Sequence, residues 1–275
     1  AIISFQTAYL KTHYPLEFFA ASMTLEINNV DKLAIFQQEL QRMNIKLNLP
    51  DINTSDVYFV TEKEGINYAL GAIKNVGIES MKELIDERTK NGLFKSFDDL
   101  LGRVSGSVAN KKTLEALACA GAFDTLNVKR EDIFNQSNEI VKYIKDFNIK
   151  SDSNQGDIFG NTEILKYSFI KTEPWDESTK LMKEFQIIGF YFSGHPLTAY
   201  KDDLISNNVR DYTTVYSSKE LQKSKSILVA GTLLAKKERR SARGNAYAFL
   251  SFSDITSNYE GIIFEANLRK YRDML

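Results

Sequence analysis

Apolar residues recur every three or four positions through the first forty-odd residues. Ile2, Phe5, Tyr9 and Leu10 make one face, Pro15 interrupts it, and "LEFFAASMTL" forms a second helix. Leu33, Phe36, Leu40 and Met43 mark a third, amphipathic helix in "VDKLAIFQQELQRM". "NLPDINTSD" has turn chemistry, and "VYFVTEKEGINYAL" reads as a short hairpin with Lys63, Glu64 and Gly65 near its turn. From Gly71 to Phe123 short helices return. Ser96 and Asp99 form a capping box for "KSFDDLLGRV", Asn110 caps "KKTLEALACA", and Gly121 stands where that helix should stop. Ile133, Ile140, Ile144 and Phe147 predict a longer helix. A polar stretch, "SDSNQGDIFGNTE", follows, and then a helix ending near Gly189. The last fifty residues change period. "ILVAGTLLA", "AYAFLSFSDI" and "YEGIIF" alternate as strands, Gly244-Asn245 marks a turn between the first two, and "EANLRKYRDML" closes as a helix.

Composition narrows the chemistry. The chain has 275 residues, 43% of them apolar, so it can bury a core and is long enough for more than one domain. A net charge of -1 gives no global pull toward nucleic acid, so any such binding must come from local patches. Cys119 is the only cysteine and His13 and His195 the only histidines, which argues against a disulfide or a His/Cys zinc site and fits a reducing, cytoplasmic setting. No apolar run has the length of a membrane span, and no signal peptide is visible. The apolar opening "AIISFQTAYL" reads as an internal cut rather than a natural start.

Four stretches are candidates for function. In "AIKNVGIES" an apolar-Gly-apolar hairpin between helices leaves backbone N–H groups free for phosphate oxygens. Gly77 permits the turn, Asn75, Val76 and Ile78 surround it, and Lys74 adds charge. The alternative is a plain helix connection in which Val76 and Ile78 simply pack. "NKKTLEALACAGAFD" reads as a second unit, with Lys111 and Lys112 near its first turn and Gly121 in its hairpin. The basic stretch "KKERRSARGN" lies between the first two C-terminal strands. Lys236, Lys237, Arg239, Arg240 and Arg243 form its charge, and Tyr247 and Phe249 alternate beyond it, as a single-strand-binding sheet would need. Its alternative is a solvated charge run beside core aromatics. In "QGDIF", Gln155, Asp157, Ile158 and Phe159 suit capture of an extended peptide in a partner's pocket, unless Phe159 packs on the chain itself. His195 in "SGHP" has no nucleophile or carboxylate at useful spacing, so the stretch reads as a turn in which Ser193 and His195 bond to backbone, although an enzyme using His195 as a base is the rival to be tested. The Asp98-Asp99 and Asp202-Asp203 pairs read as helix-start or surface charge, since adjacent side chains on a helix diverge.

Taken in order, "ISFQTAYLKTHYPLEFFAA", "ALGAIKNVGIES", "NKKTLEALACAGAFD", "EFQIIGFYFSGHPL" and "VAGTLLAKKERRSARGNAYAFLSFSD" resemble the C-family replicative DNA polymerases, the bacterial DNA polymerase III alpha subunits, along essentially the whole chain. The resemblance implies a mainly α fold with a β-rich C-terminal end. Residues 1-50 would end the fingers helices and 51-150 would be a tandem helix-hairpin-helix domain. Residues 151-225 would carry a clamp-motif tether and connecting helical segment, and 226-275 would begin a partial OB-fold. It also implies that Gln155, Asp157, Ile158 and Phe159 contact the sliding clamp (the beta subunit). Double-stranded DNA, single-stranded template and other replisome subunits would be the remaining partners, with no membrane. The magnesium-binding palm that transfers deoxynucleotides would lie before residue 1, leaving this segment without cofactor and without catalysis of its own. A non-polymerase adaptor joining clamp to DNA in repair is the alternative.

Overall fold

The computed structural model describes residues 2–63, 65–153, 166–219 and 221–275. The chain divides into two compact units, residues 1–193 and 194–275. The first begins with α1 (Ile2–His13), α2 (Pro15–Leu25) and α3 (Val30–Arg42). Pro15 takes the first position of α2, where a missing N–H breaks no helical bond. The apolar face read on α1 is present but turned to the outside, with Ile2 and Phe5 both at least 70% exposed. On α3, Asn29 caps the start by accepting from Lys32 N–H at 3.2 Å, and Leu33 and Leu40 point into the core.

A small sheet follows, made of β1 (Lys46–Asn48), β2 (Val60–Glu62) and β3 (Gly65–Asn67). The expected β2–β3 hairpin is antiparallel, and β1 adds to its other side in parallel, giving the order β1-β3-β2. Only three residues long and not alternating, β1 carries no strand signal of its own. Asp51 shapes the loop that follows it. Its carboxylate accepts from Asn53 and Thr54 N–H at 2.8 and 2.9 Å and from the Thr125 hydroxyl at 2.6 Å.

The helical body comprises α4 (Ile78–Asn91), α5 (Phe97–Arg103), α6 (Lys111–Cys119), α7 (Arg130–Asn135), α8 (Ser137–Ser153) and α9 (Glu177–Ile188). Ser96 caps α5 as expected, accepting from Asp99 N–H at 3.1 Å, whereas Asp99 reaches back to Lys95 N–H rather than to Ser96. The single long helix expected around Ile133 and Ile140 is interrupted at Gln136. That side chain turns inward and makes paired bonds with the backbone of Ile170, at 2.7 and 2.9 Å. One apolar core runs from Phe19 and Met23 through Tyr68, Leu84, Leu117 and Ile140 to Phe190, so helices α1–α3 have no separate interior.

Helix α9 is held by polar contacts at its far end. Gly189 stops it in the left-handed conformation (φ 95°), and a Cβ there would lie 2.0 Å from Val30 Cγ1, so only glycine fits. The fully buried Glu184 carboxylate accepts from Phe192 and Ser193 N–H at 3.2 and 2.7 Å and lies 3.5 Å from Arg130, which also holds Asp124.

In the second unit, α10 (Lys201–Ser206) and α11 (Tyr212–Ser217) precede β4 (Thr232–Arg240), β5 (Ala246–Ser253), β6 (Asn258–Phe264) and α12 (Glu265–Tyr271). The three strands form an antiparallel sheet in sequence order, and Leu268 of α12 packs on Ala248 and Leu250. The fold is thus mainly helical with a strand-rich end. Among the described residues the sheet does not close into a barrel.

Removing the Glu184 carboxylate strips Phe192 and Ser193 N–H of their acceptor and Arg130 of one of its two acids. Glu184→Ala is therefore expected to lower stability by about 3–5 kcal/mol. Urea unfolding of the whole chain checks this, and a midpoint equal to wild type would refute the role given to Glu184.

Candidate nucleic-acid interface

Residues 73–77 join a single 3-10 turn (Leu70–Ala72) to α4. The helix expected before the hairpin is thus only that one turn. Gly77 is not the residue that needs special backbone freedom, because its φ is −81° and an added Cβ would find Ser80 Oγ no closer than 3.4 Å. Asn75 takes the left-handed conformation instead (φ 67°), which its short polar side chain tolerates. Gly77 sits at the N-cap of α4 and offers no capping side chain, so the first-turn N–H groups keep their donors unclaimed. Lys74, Asn75 and Gly77 are exposed, and Val76 and Ile78 are half-buried against the core. Lys74 leans on α9. Its N–H donates to Ile187 O at 3.2 Å and its ammonium lies 3.4 Å from Gln186 O.

The second unit of the sequence reading is arranged differently. Asn110 caps α6, accepting from Thr113 N–H at 3.1 Å, and Lys111 and Lys112 are exposed in the first turn, with Lys111 3.8 Å from Glu115. Ala120-Gly121-Ala122, at the other end of α6, is buried. Gly121 N–H donates to Ala118 O, and a Cβ on Gly121 would lie 2.3 Å from Arg130 Nη2. Gly121 therefore stops a helix and has no free donor for a phosphate. The exposed connection is residues 104–110, between α5 and α6, where Ser105, Gly106 and Ser107 face outward. The Ser-Gly-Ser run before the Asn110 cap was the signal for it, and it lacks the apolar-Gly-apolar form of the first hairpin.

These two connections touch. Ser80, in the first turn of α4, donates from its hydroxyl to Ser107 O at 3.1 Å, and Ser107 in turn bonds Glu83. Hydrogen bonds from Ser105 and Ser107 hold the Glu83 carboxyl below the usual range. The starts of α4 and α6 are thereby joined, and Asn75 and Lys112 line one small cavity of about 170 Å³. Cys119 also lines it, but burial pushes that thiol up to about 11, which removes it as a nucleophile.

In the C-terminal sheet, Lys236, Lys237, Arg239 and Arg240 lie within β4 rather than in a loop. The turn is only Ser241–Asn245 and carries Arg243. Pairing with β5 extends β4 further than its charge suggested. Lys237 pairs with Phe249 and Arg239 with Tyr247, so these four share one face, while Lys236 and Arg240 lie on the other. The Tyr247 and Phe249 rings are 5.6 Å apart at 71° and half-buried. Their β6 partners Phe264 and Ile262 are exposed on the same face, which the sequence reading did not single out. Aromatic rings beside two cations are what stacking on bases requires.

The remaining candidates have structural roles. His195 is buried. Its Nδ1 accepts from Leu197 N–H at 3.1 Å, so Nε2 carries the proton and faces Ser253 Oγ at 3.0 Å. Such an imidazole is a strut between the 3-10 turn at Pro196–Tyr200 and the end of β5 rather than a base aimed at a substrate. Asp98 accepts from Tyr167 N–H, Asp99 lies 3.2 Å from Arg103, and Asp202 and Asp203 begin α10. Among the described residues no group of three or more metal-ligating side chains comes together, and no helix is long and apolar enough to cross a membrane. Gln155, Asp157, Ile158 and Phe159 lie outside the described residues.

A helix-hairpin-helix motif family matches residues 44–133, which covers both hairpin stretches. Similarity to named proteins extends over the full chain. It is 37% identical to the DNA polymerase III subunit alpha of Caulobacter vibrioides, 34% to that of Campylobacter jejuni and 32% to that of Escherichia coli K12. All of this chain is covered in each case, and it spans 24%, 23% and 24% of those relatives' lengths.

Burial lowers the His195 pKa from its ordinary value near 6.5. The unfolded chain then binds more protons as pH falls through 6.5, so the stability that neutral His195 contributes is complete above that pH and declines below it. The urea midpoint of the chain is expected to drop between about pH 7 and about pH 5, and to drop less in His195→Gln. Identical pH profiles for the two proteins would remove this assignment.

Proposed function

We propose, from the premise that this chain is similar end to end to about a quarter of a DNA polymerase III alpha subunit, that it keeps such a polymerase seated on DNA during replication. The observation that carries this reading is the Ser80–Ser107 junction. It brings the uncapped start of α4 and the Asn110-capped start of α6, with Asn75, Lys111 and Lys112, onto one surface, where phosphates of a duplex can be met without reference to base sequence. Such contacts permit sliding, which a base-reading interface would resist.

Two further attachments complete the proposal. The β4–β5 face, with Lys237, Arg239, Tyr247 and Phe249, is the start of an OB-fold that meets single-stranded template. Gln155, Asp157, Ile158 and Phe159 grip the sliding clamp. Several weak contacts on one chain give a high effective concentration at the primer end, so processivity needs no single tight one. Nucleotide transfer with two magnesium ions belongs to the whole polymerase, in carboxylates outside this segment, and the protein works in the cytoplasm with the other replisome subunits. A repair adaptor that joins clamp to DNA remains the competing reading. Palm carboxylates encoded upstream in the same gene would exclude it.

Gly77→Glu places a carboxylate at the unclaimed start of α4 and is expected to weaken duplex binding roughly tenfold while leaving the urea midpoint near wild type. Electrophoretic mobility shift with a short duplex checks it, and full affinity in the variant would count against the hairpins. For the clamp, the Gln155→Ala, Phe159→Ala double variant should lose pull-down by the ring while still binding duplex. Undiminished pull-down would withdraw that contact.

A further inference from the structure

We infer that α9 supplies a further phosphate contact, Lys183, and that Asn75, Lys112, Lys183 and Gln186 together seat one phosphodiester of the bound duplex. This rests on the duplex-holding reading above. The helix-hairpin-helix match ends at residue 133, and α9 lies beyond it. Yet α9 is tied to the hairpin tip by the bond from Lys74 N–H to Ile187 O, so it belongs to the same surface.

The cavity of about 170 Å³ is lined by Asn75, Lys112, Glu115, Phe134, Lys183 and Gln186, among others. It is smaller than the usual pocket for a whole nucleoside or cofactor, which runs from roughly 300 Å³ upward. A phosphate group suits it better. Among the described residues neither lysine has a carboxylate within ion-pair distance. Glu115, the acid on the wall, faces Lys111 at 3.8 Å and accepts from the Ser137 hydroxyl at 2.8 Å. Two uncompensated cations and two side-chain amides therefore converge on an opening with its one acid already engaged. Lys183 is also held in place. Its ammonium sits 3.8 Å from the centre of the Phe134 ring and 5.4 Å from that of Trp175. Ring faces steady an ammonium while leaving its N–H groups free for an anion.

Trp175 is the only tryptophan of the chain, so its emission reports on Lys183 directly. The experiment is a titration of the 275-residue chain with a short duplex, over a series of salt concentrations, read by Trp175 fluorescence and by mobility shift. Lys183→Gln is expected to weaken binding by about 3- to 10-fold near 0.1 M salt and to flatten the log–log salt slope by about 0.9, the share of one phosphate. Lys183→Arg should retain both affinity and slope. If Lys183→Gln binds with wild-type affinity and slope while Gly77→Glu is weakened, the Lys183 contact is wrong and the hairpin reading stands. If the wild-type chain does not bind duplex at low salt, the hairpin reading falls and Lys183 with it. Circular dichroism establishes that Lys183→Gln is folded. Should it not be, an emission of wild-type Trp175 that stays constant on saturation with duplex overturns the contact.

Discussion

A carboxylate taken out of water must find donors to replace the water it loses, and Glu184 is fully buried. Its replacements come from separate parts of the chain. Phe192 and Ser193 N–H lie just past the end of α9, and Arg130 opens α7 while also holding Asp124. Two N–H groups on Oε1 and the Arg130 charge 3.5 Å from Oε2 therefore fix the path of the chain after α9 and the position of α9 against α7. A pair like this adds little stability over well-packed apolar residues, but it tolerates few alternative arrangements. Gly189 and Val30 close the same end by contact, and Lys74 N–H on Ile187 O carries the constraint to the hairpin tip. The surface shared by the hairpin and α9 follows from these contacts.

On the proposed reading, that surface would meet a polyanion although the chain's net charge is -1. The attraction is local and only partly ionic. Unclaimed backbone donors at the start of α4 contribute partial positive charge with no added lysine. The formal charges that do occur are sorted, with Lys111 beside Glu115 and Lys82 beside Glu79, whereas Lys112 and Lys183 face the cavity without an acid of their own among the described residues. In the C-terminal unit the sorting is by strand face. Lys236 is spent on Glu238, which also bonds Arg272, while Lys237 and Arg239 lie beside the aromatic rings of β5.

Much of this could be read from residue pattern, and the failures have physical reasons. Helix starts were legible because caps are local. Ser96 and Asn110 each bond an N–H three residues on, and the signal lies within one turn. The strand-rich end was legible from its period of two. What was missed depends on distant partners. The short β1 is a strand only because β3 lies beside it, Gln136 breaks a helix to reach Ile170, and the basic run of β4 is strand because β5 pairs with it. The hairpin tip exposed a different error. An apolar-Gly-apolar pattern drew attention to Gly77 and to Gly121, yet Asn75 makes the turn and Gly121 is interior. A glycine in a pattern says that a side chain is absent, and only the fold says whether that serves a turn, a close packing contact or an open helix end.

The acids beside the two helix starts set a limit on how tightly this surface can hold a phosphate. Glu79 lies in the first turn of α4 and Glu83 one turn on, where negative charge favours the helix dipole in the absence of ligand. An incoming phosphate at the unclaimed donors would meet their repulsion. Part of that repulsion is absorbed in advance, since Lys82 engages Glu79 and the hydroxyls of Ser105 and Ser107 engage Glu83. On the proposed reading, such a surface would attract a backbone while keeping its own stabilising acids in place, with each contact individually weak and readily exchanged. If the chain moves along a duplex, as that reading has it, a tighter seat would be a brake, and the same argument favours contacts spread over α4, α6 and α9 rather than concentrated in one element.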